Sequence, residues 1–211
     1  MELNNDNKLL ESSIKAFNFP ESTNLYLVIN EEDQDYIEEV EKILGLFKNY
    51  SKIIITPDTQ GQAETAFIGC RDIPNNFPIF FFNGDTILKN RDINEMAFQL
   101  HTQCDGAIDT FIEDTNHFSF VKLDSNKRVT EIAEKIVISN YATTGLYGFS
   151  GKDIYLEYYQ KLKTNHEKYI SDVYKIMLSD NLIIKGMVSS DDRDTIILGT
   201  PKEYFDNKDR V

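Results

Sequence analysis

The chain has 211 residues, with 22 Lys and Arg against 35 Asp and Glu, so its formal net charge is −13 at pH 7. Apolar residues make up 41%, including 14 Phe and 11 Tyr, which is enough for a buried core and argues against disorder. The acidity argues against a nucleic-acid partner, which a basic face would have to bind. No apolar run approaches the roughly 18–20 residues that cross a bilayer, and the polar, acidic start is unlike a signal peptide. We expect no membrane insertion and a cytoplasmic location.

The first half of the chain predicts strands that alternate with helices. Apolar runs at 25–29, 52–56 and 78–82 are typical of buried strands. Apolar residues spaced by three and four predict helices from Tyr36 to Phe47 and from Ile93 to Leu100, and a further helix is predicted at 63–70. This alternation favours a Rossmann-like α/β fold, with a mixed, mostly parallel sheet flanked by helices.

After Gly106 the pattern changes to shorter strands around a turn at 124–126. These strands are predicted at residues 107–113, 118–123, 129–132 and 142–149. Two helices and a strand follow, predicted at residues 153–163, 170–178 and 183–188. Thr200-Pro201-Lys202-Glu203 has the form of a capping box with proline at the first helical position, which predicts a last helix. We find no linker or repeat and predict a single domain over residues 1–211.

Three short segments carry residues that suit phosphate chemistry. In parallel sheets, ligands bind beyond the carboxyl ends of the strands, where Thr59-Gln60-Gly61-Gln62-Ala63 and Asn83-Gly84-Asp85 fall. The first loop opens a helix and can offer backbone amides to a base or phosphate. In the second, we expect Gly84 to allow a sharp turn that presents Asp85 to a hard cation such as Mg²⁺. The third segment is Glu134-Lys135, whose lysine suits a phosphate.

Each of these segments also has an ordinary structural interpretation. The Asn83-Gly84-Asp85 segment is common turn chemistry, and the loop at 59–63 suits a simple helix entry. Glu134 and Lys135 suit a solvated charge pair. No Gly-x-Ser-x-Gly, His-Glu-x-x-His or Walker-type loop is present, so no single motif decides the function.

The order of the segments is more informative than any one of them. It resembles the sugar-phosphate nucleotidyltransferase family over nearly the whole chain. The closest likeness is to the nucleotidyltransferase-like proteins of bacterial capsule and surface-polysaccharide clusters. The segments that carry the resemblance are Thr59-x-Gly61-x-Ala63, Asn83-Gly84-Asp85, Glu134-Lys135, Asn140-x-Ala142-x-x-Gly145-x-Tyr147, Glu167 to Val173, and Gly199-Thr200-Pro201.

The resemblance implies a nucleotide-diphospho-sugar transferase fold. Its expected reaction joins a nucleoside triphosphate to a sugar 1-phosphate with release of pyrophosphate, and its expected cofactor is Mg²⁺. It assigns catalytic roles to Asp85, as metal ligand, and to Lys135, as holder of the sugar phosphate. The implied binding residues are Thr59, Gly61, Gln62 and Gly84 for the nucleotide, and Glu134, Asn140, Gly145 and Glu167 for the sugar.

Two departures from the family pattern bear on activity. Family members begin with a strand and a loop of the form Gly-x-Gly-x-Arg, whereas residues 1–17 contain neither glycine nor arginine. We therefore expect that this chain starts about 30 residues late, as an N-terminally truncated version of the fold, and that it releases little or no pyrophosphate. The family's second acidic metal ligand corresponds to Ile197, and Asp194 is the nearest acidic residue upstream.

The leading hypothesis is a nucleotidyltransferase-fold protein of nucleotide-sugar synthesis for surface polysaccharide. One alternative is a non-catalytic or regulatory member that keeps the fold and some ligand binding. A second is a glycosyltransferase of related fold, although such enzymes usually carry Asp-x-Asp, where this chain has Asn83-Gly84-Asp85. The sequence leaves the nucleobase, the sugar and the formation of a homo-oligomer open.

Overall fold

The computed structural model describes residues 8–17, 19, 22–47, 50–71, 73–74, 77–189 and 191–211. Its helices are α1 (Leu9–Lys15), α2 (Ile37–Leu44), α3 (Gln62–Cys70), α4 (Ile93–Thr102), α5 (Lys152–Gln160), α6 (Ile170–Ser179) and α7 (Pro201–Asn207). Its strands are β1 (Asn24–Asn30), β2 (Tyr50–Thr56), β3 (Ile79–Phe81), β4 (Thr86–Leu88), β5 (Gly106–Ile112), β6 (Ser119–Leu123), β7 (Val129–Glu134), β8 (Tyr141–Phe149), β9 (Ile184–Val188) and β10 (Thr195–Ile197). No helix in these ranges is long and apolar enough to cross a membrane.

The strands form one large sheet and two small ones. The large sheet has the order β7-β6-β8-β5-β9, and β3 pairs with β8 beyond the end of β6. Strands β1 and β2 form a parallel pair of their own, and β4 and β10 form an antiparallel pair. The predicted α/β class, with a mixed sheet flanked by helices, is confirmed.

The direction of pairing differs from the expected parallel majority. Among the described strands only β1 with β2 and β5 with β9 are parallel, and the other pairings are antiparallel. The reason lies in the second half of the chain, where β6 and β7 are joined by a tight turn and β8 returns beside β6. Asp124 closes that turn, because its Oδ1 accepts from the amides of Asn126 and Arg128, each at 2.8 Å.

Helices cover the large sheet on both faces. Helices α3, α5 and α6 pack on one face over an aromatic core, in which the rings of Phe149 and Tyr174 stack with centroids 4.6 Å apart. Tyr174 keeps its buried hydroxyl satisfied by donating to the carbonyl of Gly148 at 2.7 Å. Helix α4 packs on the other face through Met96 and Leu100, beside Leu146 of β8.

A buried ion pair joins the small β4–β10 sheet to the large one. Arg91, just after β4, donates from Nε to Asp109 of β5 at 2.9 Å, and both side chains are almost fully buried. The guanidinium also donates to Thr195 of β10 at 2.7 Å, and Thr144 of β8 donates to the Asp109 carboxylate at 2.8 Å. Burial raises the pKa of Asp109, while the neighbouring Arg91 opposes that change. The network therefore fixes the strand that follows Asp85.

Candidate functional site

An open cavity of about 560 Å³ lies where several loops follow the strands of the fold. Its walls combine carboxylates, an ammonium group, amides and aromatic rings. The residues that line it are Gln62, Phe82, Asn83, Gly84, Asp85, His117, Glu134, Lys135, Glu167 and Tyr169. Six of the residues proposed from the sequence therefore meet at one place, although they are spread over more than 100 positions of the chain.

The turn that carries Asp85 connects β3 to β4 and is supported from two sides. Ser13 of α1 donates its hydroxyl to the carbonyl of Gly84 at 3.0 Å, and the amide of Leu198 donates to the carbonyl of Asp85 at 3.0 Å. The Asp85 carboxylate is exposed and lies against Gly199, where an added Cβ would approach its Oδ2 to 2.5 Å. Asp85 is therefore fixed by its backbone and free to bind through its side chain.

The expected reason for glycine at position 84 is wrong. Gly84 does not adopt a positive φ, and an added Cβ would find its nearest neighbour, Leu10, at an ordinary 3.8 Å. The turn bends within conformations that other residues can adopt, so the backbone itself does not require glycine here. Gly84 still lines the cavity, and its predicted role in nucleotide binding stays a prediction.

The loop before α3 depends strongly on Gly61. This residue caps the helix with φ 125° and ψ 179°, a region that is essentially restricted to glycine. The loop is held against the segment at 167–169, because the amide of Lys168 donates to the carbonyl of Gln60 at 2.7 Å and the amide of Ala63 donates to the carbonyl of Lys168 at 3.0 Å. In the described structure the amides of Gly61 and Gln62 have no protein acceptor, and Gln62 lines the cavity.

Glu134 ends β7 and Lys135 directly follows it, and the two side chains make different contacts. Glu134 accepts on Oε2 from the hydroxyls of Ser119 and Ser171, the latter at 2.7 Å, which fixes the carboxylate between β6 and α6. Its Oε1 accepts no hydrogen bond within the described residues. Lys135 takes the left-handed conformation, with φ 54°, and its amide donates to the carbonyl of Phe118 at 3.0 Å. This unusual conformation directs the lysine side chain to the cavity.

Lys135, Tyr169 and Glu167 form a hydrogen-bonded chain along one wall. The Lys135 ammonium donates to the Tyr169 hydroxyl at 3.0 Å, and that hydroxyl donates to Glu167. The ammonium also lies 4.8 Å from the centroid of the Tyr169 ring. The hydrogen bond to Tyr169 raises the pKa of Lys135, and the hydrogen bond to Glu167 raises the pKa of Tyr169. Lys135 therefore stays a cation at neutral pH and is available to an anionic ligand.

Gly145 lies directly behind the cavity wall. It adopts φ 87° in the middle of β8, and an added Cβ would lie 2.7 Å from Nδ2 of Asn83. Asn83 in turn accepts on Oδ1 from Nε2 of Gln62. Gly145 is therefore close to the cavity, and the side chain of Asn83 packs directly against it.

Four proposed residues do not line the cavity: Gly61 and Gly145, described above, and Thr59 and Asn140. The Thr59 hydroxyl lies 2.7 Å from that of Thr65 and stabilises the loop internally. Asn140 is exposed, and its carbonyl accepts from the amide of Glu113 at 3.2 Å at the start of β8. Both residues lie outside the cavity lining, and their predicted binding roles stay predictions.

Four residues that line the cavity were not proposed from the sequence. Phe82 and Asn83 directly precede Gly84, so their place beside the proposed metal aspartate was a usable signal. Tyr169 lies two residues after Glu167, but only the fold brings its hydroxyl to Lys135. His117 carries no spacing signal at all, because it follows a strand far from the other segments in sequence.

The residues present suit a magnesium ion that is shared with a substrate. Asp85 offers one exposed carboxylate, and its Oδ1 accepts from the hydroxyl of Thr86 at 3.2 Å. The described residues contain no group of three or more His, Cys, Asp or Glu that could hold a metal. Mg²⁺ is commonly held by one or two carboxylates together with substrate phosphates, which this donor set allows. Asp194 is engaged elsewhere, because it accepts from Asn90 at 2.9 Å at the other end of the β4–β10 pair.

The described chain thus places the cavity that contains Asp85 and Lys135 beside a mixed sheet flanked by helices. Comparison with protein-family models matches residues 1–210 to the nucleotidyl transferase family. The chain therefore belongs to that family. A comparison with curated protein sequences found no match.

Solved structures agree with this assignment. A nucleoside-diphosphate-sugar pyrophosphorylase from Vibrio cholerae is 26% identical, with a TM-score of 0.82 over 98% of this chain and 88% of that one. The inositol-1-phosphate CTP transferase from T. maritima is 16% identical, with a TM-score of 0.75 over 94% of this chain and 79% of that one. HddC from Yersinia pseudotuberculosis is 18% identical, with a TM-score of 0.66 over 96% of this chain and 83% of that one. The last two similarities concern the fold.

Proposed function

We propose that this protein binds a nucleoside triphosphate and a sugar 1-phosphate in the cavity at Asp85 and Lys135, and transfers the nucleotidyl group between them. The observation that carries the proposal is that Gln62, Asp85, Glu134, Lys135 and Glu167 line one cavity in a chain of the nucleotidyl transferase family. The 26% identical pyrophosphorylase of Vibrio cholerae supports a sugar phosphate as the acceptor.

The cavity residues divide into a nucleotide side and an acceptor side. On the nucleotide side, the free amide of Gln62, and that of Gly61 directly before it, meet the base or a phosphate at the start of α3. On the acceptor side, Lys135 holds the phosphate of the sugar, and the carboxylates of Glu134 and Glu167 accept hydrogen bonds from its hydroxyls.

The reaction requires positioning and charge neutralisation more than a protein nucleophile. An oxygen of the sugar phosphate forms a new bond to the α-phosphorus, the bond between that phosphorus and the bridging oxygen to the β-phosphate breaks, and pyrophosphate leaves with the electron pair. Lys135 holds the attacking phosphate near the α-phosphorus. Asp85 would hold Mg²⁺, which when bound neutralises phosphate charge.

A non-catalytic binding protein is the second candidate, and the composition of the cavity favours it. Among the described residues that line the cavity, Lys135 is the one ammonium group and Asp85 the one carboxylate at the proposed metal position. Loss of a single preorganised donor can cost about 10²–10³ in rate, so a site with few donors can bind substrates without fast turnover. A glycosyltransferase receives no comparable support, since the family match is to nucleotidyl transferases.

A turnover assay separates the two candidates. The protein is incubated with Mg²⁺, each common nucleoside triphosphate, and the 1-phosphates of glucose, galactose, mannose and N-acetylglucosamine, while pyrophosphate is measured. Transfer predicts pyrophosphate release that requires both substrates and is lost in Asp85→Asn and Lys135→Ala. Binding of the same ligands without pyrophosphate release supports the non-catalytic candidate, and absence of both binding and release contradicts the proposal.

We further propose that the activated sugar serves surface-polysaccharide synthesis in the cytoplasm, where nucleoside triphosphates are available. The support is the likeness of the sequence segments to nucleotidyltransferases of such clusters. Disruption of the gene in its host should remove the corresponding surface sugar, and complementation with the Asp85→Asn variant should fail to restore it if transfer is the function. An unchanged surface sugar composition after disruption would contradict this role.

A further inference from the structure

Asn83 stands where the nucleotide side and the acceptor side of the cavity meet. Its Oδ1 accepts from Nε2 of Gln62, the first residue of α3. Its Nδ2 faces Gly145, where an added Cβ would lie 2.7 Å away. The two contacts fix the orientation of the amide, with the oxygen toward α3 and the nitrogen toward β8.

The Nδ2 group has two N–H donors and no acceptor among the residues that the structure describes. A polar group left without a partner on ligand binding loses its hydration, which costs free energy. The amide lines the cavity and is partly exposed, so a ligand that fills the cavity must supply the acceptor or forfeit that interaction.

We propose that Asn83 is a specificity-determining residue, which donates from Nδ2 to an oxygen of the sugar ring. The inference rests on the proposed function and adds a residue to the acceptor side of the site. Ionised Glu134 and Glu167 can only accept hydrogen bonds, so they pair with hydroxyl protons and leave the hydroxyl oxygens in need of donors. The Tyr169 hydroxyl already donates to Glu167, and Lys135 is committed to the phosphate, whereas the Asn83 nitrogen is not committed.

Gln62 is a positioning residue in this arrangement, because it acts on the sugar only through Asn83. Without its donor the Asn83 amide can rotate and present its oxygen to the sugar instead. Gln62 therefore couples the first turn of α3, on the nucleotide side, to recognition of the acceptor.

Two substitutions of Asn83 separate ligand contact from structural support. Asn83→Ala removes both the bond from Gln62 and the donor, whereas Asn83→Asp keeps the acceptor for Gln62, removes the donor and adds a negative charge. The affinity of each variant is measured by calorimetry for the sugar 1-phosphate that the wild type binds best in the panel above. We expect both variants to lose about tenfold, the size of one hydrogen bond. Gln99→Ala, which removes an amide bonded to Glu95 outside the cavity, is the matched control and should bind as the wild type does.

Monodeoxy analogues of the same sugar 1-phosphate identify the oxygen that Asn83 contacts. For one analogue, the loss of affinity relative to the parent should be about tenfold larger in the wild type than in Asn83→Ala. The inference would be overturned if each analogue lost the same affinity in both proteins. It would also be overturned if Asn83→Asp bound as tightly as the wild type while Asn83→Ala did not. In those cases the proposed function stands, since the wild type binds the ligands. A wild type that binds neither nucleotide nor sugar 1-phosphate contradicts both.

Discussion

Replacing Gly61 with alanine tests the loop that opens the nucleotide side of the cavity. The backbone there has φ 125° and ψ 179°, which costs a non-glycine residue about 1–3 kcal/mol. The new Cβ would lie 2.7 Å from the backbone oxygen of Lys168 and 2.9 Å from its nitrogen. These atoms cannot retreat without weakening two backbone hydrogen bonds, each worth about 1 kcal/mol. We expect the free energy of unfolding to fall by about 3 kcal/mol.

Urea denaturation measures this change, and Gly151→Ala provides the control. Gly151 also precedes a helix, but its φ of −177° is ordinary extended backbone and an added Cβ meets nothing within 4 Å. The control should lose less than about 1 kcal/mol, the scale of an N-cap change. Gly61→Ala should also bind nucleotide more weakly. If the two variants unfold at the same urea concentration, the described geometry of the loop is wrong.

Three further substitutions test the framework and one wall of the site. Arg91→Met leaves Asp109 buried without its partner, so it should lower the free energy of unfolding by about 3–5 kcal/mol in urea denaturation. A smaller loss than that of Gln99→Ala would contradict the buried ion pair. Thr200→Ala removes the capping box of α7 and should cost about 1 kcal/mol in the same assay, whereas an unchanged midpoint would refute the cap. Tyr169→Phe should leave stability within about 0.5 kcal/mol but weaken sugar 1-phosphate binding about threefold to tenfold by calorimetry; unaltered affinity would argue against the lysine–tyrosine–glutamate chain.

Most of the regular structure could be predicted from local patterns of apolar residues. The predicted helix from 201 onward begins at Pro201, and the predicted strand at 142–149 is β8 (Tyr141–Phe149). Strands β4 and β10 were missed because each has three residues, too few for a period-two pattern, and their pairing joins segments about 100 residues apart. Pairing direction also depends on such distant contacts, which explains why the parallel majority was expected and not found. The single domain over residues 1–211 stays a prediction.

The residues of the candidate site also include some that the sequence predicts and some that only the folded chain brings together. Asp85 and the Glu134-Lys135 pair were proposed because they follow predicted strands, and Glu167 was proposed from the family resemblance alone. Asn83 was overlooked as a contact because its role depends on Gly145 and Gln62, which only the folded chain brings beside it. Helix α1, which the sequence patterns did not predict to lie here, packs through Leu9 against Ile87, Ile196 and Leu198 of the β4–β10 region.

Calorimetric titration of the full chain tests the central claim, which is that one cavity binds both a nucleoside triphosphate and a sugar 1-phosphate. Because Asp85 is one carboxylate and needs substrate phosphates to complete the shell of Mg²⁺, we expect a nucleoside triphosphate to bind with Mg²⁺ and to lose most of its affinity in EDTA. We also expect Asp85→Asn to remove the Mg²⁺-dependent part of this affinity and Lys135→Ala to weaken binding of the sugar 1-phosphate, with both variants folded. Absence of binding by any triphosphate and any sugar 1-phosphate of the panel, or affinities unaltered in both variants, would contradict it.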